Sequence, residues 1–365
     1  MKWMTPPTVL KSLFVFAIFC TVLSILSCGS DDKKETVLVG TSLGVMRGQW
    51  TMASPPDLDD PRSGQYSLLS RWKQFSWYNP YEKVDAREIW GENTQEGRTD
   101  VLALEYTPND SGTDSWAGVM RALSGRDYDQ SGNEYMEVWV NGSRGRINID
   151  LGLVSEDVIP NGTLNSEDRG AEEGYGDGIL DLDEDVGLDG MANDDLRAVT
   201  AGGDFWDVDD DGVKDDWEPF SNDDWSYQDG SSNYTKINGT ESNRNDPNRG
   251  IRPDTEDLNN NKSLDTENEF FRYSFSLSPD SPDTVYVAGG DVDRSNWGHM
   301  ASWRLYRLPL AEPATVMSGA NMTDIRFVRI WITGVNTFTV IRIAAINMVG
   351  SACSKNRSGI PFAGF

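Results

Sequence analysis

The sequence predicts an all-β fold: a jelly-roll-like (galactose-binding-like) β-sandwich interrupted by an Asp/Asn-rich insertion of calcium-binding type. Three observations point there. Apolar and polar residues alternate with a period of two over many short stretches on both sides of a central acidic segment; Asn-Gly, Ser-Gly and Arg-Gly pairs punctuate them; and no amphipathic helical stretch of any length is visible. With 365 residues, 38% hydrophobic, and 13 Trp, the chain can bury a sizeable core. A formal net charge of -27 makes nucleic acid a poor partner and favours cations or basic surfaces.

In chain order, residues 1–27 read as a signal peptide. Lys2 and Lys11 lie in and beside a short n-region, residues 13–26 form an apolar stretch too short to span a bilayer comfortably, and Ile25-Leu26-Ser27-Cys28 ends it as a lipobox. Cys28 is then expected to be the acylated N-terminus of a bacterial lipoprotein; the alternative is an ordinary secretory signal with a chance cysteine. Gly29 rather than Asp follows, which by likeness to known sorting signals points to the outer membrane. The acidic SDDKKE (30–35) is similar to a surface-export signal. The expected location is therefore the outer membrane, lipid-anchored and surface-exposed. Of three cysteines, Cys20 falls in the signal and Cys28 is acylated, so Cys353 is left alone and no intrachain disulfide is expected.

Residues 28–63 read as a tether with an early strand at 37–45, and residues 64–365 as the sandwich, interrupted by an acidic metal-binding insertion at 153–269. SWYNPYEKVDAREIW (76–90) reads as a strand running into a turn at Asn79-Pro80. Leu102, Leu104 and Tyr106 share one face of the next strand, and residues 116–123 form another. Met136, Val138 and Val140 oppose Tyr135, Glu137 and Trp139, and Ile147, Ile149 and Leu151 line a fourth; short turns are expected to join these as antiparallel neighbours. Beyond the insertion, Phe271, Tyr273, Phe275 and Leu277 share a face, and Trp303 and Leu305 another. IRFVRIWI (325–332) and FTVIRIAAIN (338–347) are expected to pair as a hairpin through Gly334-Val335-Asn336, with Val328, Ile330 and Ile332 inward and Arg326 and Arg329 nearer the rim. Two separate β-domains flanking a linker is the competing architecture, at the cost of exposed sheet edges in each.

The insertion carries the metal chemistry. In DVDDDGVKDDWE, Asp207, Asp209 and Asp211 stand at positions 1, 3 and 5 of a twelve-residue loop, Gly212 at the sharp turn, the Val213 carbonyl at 7, Asp215 at 9 and Glu218 at 12. Calcium takes six to eight oxygens at about 2.3–2.6 Å, and this spacing winds them around one point. Lys214 occupies position 8, where an EF-hand has an apolar residue, so the loop is closer to a thrombospondin type 3 repeat. In a second loop Asp257, Asn259, Asn261, Ser263 and Asp265 fit positions 1, 3, 5, 7 and 9, but Lys262 replaces the glycine and Asn268 the final carboxylate. A third segment offers Asp177, Asp181, Asp183, Asp185 and Asp189, which could share an ion. More than one Ca2+ is expected; the bland alternative for each segment is a solvated acidic loop. Two carboxylates about 5 Å apart repel by roughly 3 kcal/mol at an effective dielectric near 20, and a cation turns that repulsion into ligation.

WYNP (77–80), SWAGVMRAL (115–123), EYMEVWV (134–140), NIDLGLVSEDVIPNG (148–162), DEDVGLDG (183–190), KINGTE (236–241), RPDTEDLNNN (252–261), SWRLYRLPL (302–310), IRFVRIWITGV (325–335) and IRIAAINMVGS (341–351) occur in this order. Together they resemble a globular domain of the SprA (Sov) family of gliding-motility and type 9 secretion cell-surface proteins. The resemblance implies a sandwich with an Asp-rich insertion outside the outer membrane. SprA-like proteins also carry a giant transmembrane barrel, for which this chain has no strand series, so the family's export role carries over only as partnership.

A non-catalytic protein is expected. His299 is the only histidine, and no GxSxG elbow, HExxH helix or P-loop is present. The expected partners are outer-membrane lipid through the acyl anchor and a protein of the cell envelope. Association with protein secretion, gliding or adhesion is expected; a carbohydrate-binding module is the rival reading, with Trp77, Tyr78, Trp90, Trp225 and Tyr227 as candidate platforms for a glycan, and a glycan-active enzyme ranks below it.

Overall fold

The computed structural model describes residues 26–27, 34–35, 37–59, 61, 64–67, 70–71, 74–109, 114–168, 178, 188, 244–246, 250–291, 293, 295 and 302–351. The strands that build the sandwich are β1 (Val37–Leu43), β2 (Thr51–Met52), β3 (Gln74–Tyr78), β4 (Leu102–Thr107), β5 (Ala117–Ala122), β6 (Tyr135–Asn141) and β7 (Arg146–Leu153), then β8 (Glu269–Ser276), β9 (Val287–Gly290), β10 (Arg304–Pro309), β11 (Thr315–Val316), β12 (Phe327–Thr333) and β13 (Thr339–Ser351). One short helix, α1 (Ala86–Trp90), lies between β3 and β4.

Two antiparallel sheets face each other. The first has the order β9–β10–β6–β13–β4–β3, with β1 also on β13; the second has the order β11–β8–β7–β12–β5–β2. Long β13 accepts two partners on one side, its first half pairing with β4 and its last with β1. The alternating residues of the sequence meet between the sheets. Leu102, Leu104, Tyr106, Met136, Val138 and Val140 from one layer and Ile147, Ile149, Leu151, Val328, Ile330 and Ile332 from the other fall in a single buried cluster. Each such side chain contributes about 1.5–3 kcal/mol of burial, before chain entropy is counted against it.

Consecutive strands do not pair as expected. From β4 to β7 each strand crosses to the opposite sheet, so the short turns are arches over the core rather than hairpins. The same holds for β12 and β13, which were expected to pair through Gly334. β12 is flanked by β7 and β5, whereas β13 lies between β6 and the β4/β1 side of the other sheet. Both edges of each strand are taken, and the turn with Gly334 at φ 69° carries the chain between layers.

Strands β7 and β8 bracket the insertion and are direct neighbours, paired from Arg146 with Ser276 to Leu153 with Glu269. The insertion therefore leaves and re-enters one sheet at adjacent points, and the two-domain architecture does not apply.

The outer faces are covered as well. On the second sheet, Arg329 of β12, Asp150 of β7 and Arg272 of β8 form one cross-strand row. Arg329 donates from Nε to Asp150 Oδ2 at 2.8 Å, and its Nη2 lies 2.7 Å from the same oxygen; Arg272 donates from Nε to Oδ1 at 2.7 Å. Arg329 Nη1 also reaches the Ser54 hydroxyl at 3.0 Å and the Pro55 carbonyl at 3.2 Å. Arg329 is thus fully buried, not near the rim: the segment after β2 lies across the face, with Tyr66 packed 5.1 Å from Trp331. Burial lowers the Arg329 pKa, and Asp150 opposes that shift. The tether expected at 28–63 is corrected here, since β1, Trp50, β2 and residues 53–56 are integral to the sandwich.

On the first sheet, α1 packs Ile89 with Val101, Trp139, Trp303, Leu305 and Ala344. Asp85 caps the helix by accepting from Arg87 N at 2.9 Å, and Gly91 ends it at φ 90°. Five residues are too few to show a helical period, which is why the sequence read as a turn. Trp77 is fully buried and Tyr78 is 5% exposed, so neither offers a sugar platform.

Removing Asp150 leaves two guanidinium groups facing each other without a carboxylate. Asp150→Ala is expected to lower unfolding stability by about 3–5 kcal/mol, and Arg272→Ala, which leaves the Arg329 pair intact, by less. Urea unfolding midpoints check the order; equal losses would argue against it.

Candidate functional site

The base of the insertion is built from two loops of related sequence. EDVIPNGTLNSED (156–168) and EDLNNNKSLDTEN (256–268) match at a constant offset of 100 residues, sharing Glu-Asp at the start, Asn at the sixth place, Leu at the ninth and Glu at the twelfth. The structure gives both the same hydrogen-bonded turn, although Asn260 is left-handed at φ 59° where the ring of Pro160 holds φ negative. Asp157 accepts from Asn161 N at 3.3 Å and Gly162 N at 3.0 Å; Asp257 accepts from Asn261 N and Lys262 N, both at 2.8 Å. Asn161 Oδ1 accepts from Thr163 N, and Asn261 Oδ1 from Ser263 N, each at 2.8 Å. The turn residue is left-handed in both, Gly162 at φ 72° and Lys262 at φ 66°. Lysine thus adopts the conformation that glycine serves in such loops, with strain of about 1 kcal/mol.

Each loop is tied to the other by the glutamate that precedes it. Glu256 accepts from Ile159 N at 2.9 Å and Asn165 N at 2.8 Å, while Glu156 accepts from Leu258 N at 2.8 Å and Asp265 N at 3.2 Å. Backbone bonds run the same way, Glu156 N to the Asp265 carbonyl at 2.7 Å and Glu256 N to the Asn165 carbonyl at 3.0 Å. Ser166 and Thr255 form an antiparallel bridge, and Glu167 N bonds the Asp254 carbonyl at 2.9 Å. Both glutamates are fully buried. Burial pushes Glu156 up to about 7 and Glu256 up to about 8, against the lowering effect of their backbone donors; Asp157 is raised by burial too. Buried Arg71 anchors the pair to the sandwich through a 2.7 Å bond to the Val158 carbonyl, with its own pKa lowered by burial to about 9 and raised by Glu256.

Of the expected ligands, the second loop lies here. Asp265 Oδ2 accepts from Asn259 Nδ2 at 2.6 Å and Asn261 Nδ2 at 3.1 Å, which draws positions 3, 5 and 9 of the loop together, while Asp257 at position 1 accepts from backbone amides and Ser263 is exposed. Among the described residues, no three His, Cys, Asp or Glu side chains group to hold an ion; this loop sets two aspartates among neutral amides. Asp207, Asp209, Asp211, Val213, Asp215 and Glu218, the segment with Asp177, Asp181, Asp183, Asp185 and Asp189, and Cys28, Trp225, Tyr227, His299 and Cys353 lie outside the described residues. The 157–168 loop escaped the sequence reading because Ile159 replaces an oxygen ligand at position 3. Alignment of the chain against itself is the signal that finds it.

A family described as motility related/secretion protein, SprA_N, matches residues 219–361. The matched region holds β8–β13, which supply strands to both sheets, and β8, β10, β12 and β13 pair with strands from before residue 154. No curated protein matches the chain. Among solved structures, the family 11 carbohydrate-binding module of cellulosomal cellulase Lic26A-Cel5E of Clostridium thermocellum aligns at 10% identity and a TM-score of 0.27, covering 76% of this chain and 88% of that one. The Clostridium thermocellum family 11 module in complex with a β-1,3-1,4-mixed-linked tetrasaccharide aligns at 10% and 0.27, covering 82% and 95%. At that TM-score neither shape nor binding transfers.

Glu256→Ala removes the acceptor of two buried amides. Each orphaned N–H costs about 1–3 kcal/mol. Hydrogen exchange is expected to accelerate at Ile159 and Asn165 while the β12 amides keep their protection; unchanged exchange at the loop would contradict the cross-cap.

Proposed function

We propose that this chain is a non-catalytic lipoprotein of the bacterial outer membrane, acylated at Cys28 and facing the cell surface, whose sandwich serves protein secretion or gliding and whose acidic insertion is held by calcium. The observation that carries the secretion and motility reading is the family match over residues 219–361. Because the matched strands are completed by β4–β7, any partner meets a surface of the whole sandwich rather than of the matched segment.

Charge and site chemistry support the rest. A net charge of -27 repels anionic headgroups, so acylation rather than surface electrostatics suits membrane attachment, and a basic protein face suits the partner. The buried Glu156 and Glu256 spend both carboxylate oxygens on backbone amides, which fits a structural rather than an acid–base role. The loop of Asp207, Asp209, Asp211, Val213, Asp215 and Glu218 offers calcium the fullest oxygen set in the sequence.

Crosslinking and pull-down from native outer membranes, with and without calcium, tests the association. Recovery of secretion or motility components supports it, and recovery of none in either condition counts against it. Cys28→Ser is expected to abolish fatty-acid labelling and release the protein from the membrane fraction. Chelation with EDTA is expected to lower the melting temperature and to open residues 174–269 to protease; melting curves identical in EDTA and millimolar calcium would sink the calcium reading.

A further inference from the structure

We infer that the sandwich faces the bilayer with the end that carries the insertion, and turns its opposite end, built from the arches 142–145, 277–286 and 334–338, away from the lipid surface. The inference rests on acylation at Cys28 and adds to that reading which side of the protein lies against lipid.

Its first support is the length of chain between the anchor and the fold. Val37 opens β1 and already pairs with Ser351 of β13. Nine residues separate Val37 from Cys28, and an extended chain spans at most about 3.3–3.6 Å per residue, so Val37 lies within about 30 Å of the acylated residue. That reach is roughly the thickness of a bilayer's hydrocarbon core. The end of the sandwich at which β1 begins is therefore the end held at the membrane.

The second support is what shares that end. Tyr135 at the start of β6 pairs with Val349 of β13 and with Pro309 at the close of β10. The segment before β6 then joins β1 to the other sheet. Gln130 Nε2 donates to Thr41 Oγ1 of β1 at 2.9 Å, Gln130 N to the Met322 carbonyl at 2.7 Å, and Ile325 N to the Tyr128 carbonyl at 2.9 Å. Arg326 N in turn donates to the Gly152 carbonyl at 3.1 Å, beside the last residue of β7. β6 runs away from this end and β7 returns to it, so Leu153 and Glu269 open the insertion on the side where β1 begins. The eight residues of β7, at about 3.3 Å each, place Arg146 roughly 25 Å farther out. There the arches pack on one another: Leu277 N donates to the Gly145 carbonyl at 2.9 Å, and a Cβ on Gly145 would meet Val335.

Charge sets the stand-off rather than the direction. Of the 59 acidic residues 33 lie between 153 and 269, together with only 8 of the 32 basic ones, so the insertion carries nearly all of the net charge of -27. Anionic headgroups repel it within a Debye length, about 8 Å at physiological salt, a separation that the nine-residue tether accommodates.

The acylated full chain with Cys353→Ser, in phosphatidylcholine vesicles that carry an energy acceptor on the headgroups, tests this. A donor dye is placed on single cysteines at exposed positions, Ser131→Cys or Glu312→Cys at the bilayer end and Arg144→Cys or Asn336→Cys at the other. Transfer from 131 and 312 is expected to exceed that from 144 and 336 severalfold, and to fall when ten Gly/Ser residues are inserted between Ser30 and Asp31. Equal transfer from both ends, greater transfer from 144 and 336, or transfer unchanged by the longer tether overturns the orientation. Two positions at each end preserve the comparison if one variant melts below wild type. Fatty-acid labelling is read separately: a chain that carries no acyl group overturns the lipoprotein reading, whereas an acylated chain with the reverse order of transfer overturns the orientation alone.

Discussion

The pairing of β7 with β8 along their full length is the constraint on which the rest depends. Leu153 lies opposite Glu269, so the long segment between them must begin and end at adjacent points of one sheet. Closing a loop of that size costs on the order of 4 kcal/mol of chain entropy, modest because the cost grows only with the logarithm of length. Closure also brings the acidic loops at 156–168 and 256–268 together. The chain meets that at the base of the insertion with the 156–168 and 256–268 loops, each capping the other's amides with a buried glutamate. Repulsion between acidic segments is thereby offset, at the root of the insertion, by directed hydrogen bonds.

The outer face of the second sheet shows the same economy. Asp150 sits between Arg272 and Arg329 in one cross-strand row, and such a row is tolerable out of water only if every charge is paired. The segment after β2 completes it with the Ser54 hydroxyl and the Pro55 carbonyl, and Tyr66 covers Trp331. Residues from the start of the described chain are thus needed to bury charges carried by its last third. That interdependence explains why the segment matching the secretion and motility family cannot be closed by itself.

The strand faces were largely legible in the sequence. Period-two alternation placed Leu102, Leu104, Tyr106, Met136, Val138, Val140, Val328, Ile330 and Ile332 inward, and all are buried in the common core. The 257–265 loop was legible as well, because oxygen side chains at alternate positions leave a pattern that composition alone does not. Its partner at 157–168 was not, since Ile159 and Pro160 break that pattern and only comparison of the chain with itself restores it.

By itself, then, the sequence determined which residues face inward along each strand and where the 257–265 loop turns, because both follow from local spacing. Tertiary structure decided which sheet each strand joins, since a short turn serves an arch and a hairpin equally well. It also decided that Arg329 is buried, because an arginine at the edge of an apolar run looks the same whether its carboxylate is water-facing or, like Asp150, on a neighbouring strand far away in sequence. The pairing of Glu156 and Glu256 with opposite loops is of that second kind: no spacing within either loop announces it, and it exists only because β7 and β8 bring the two ends together.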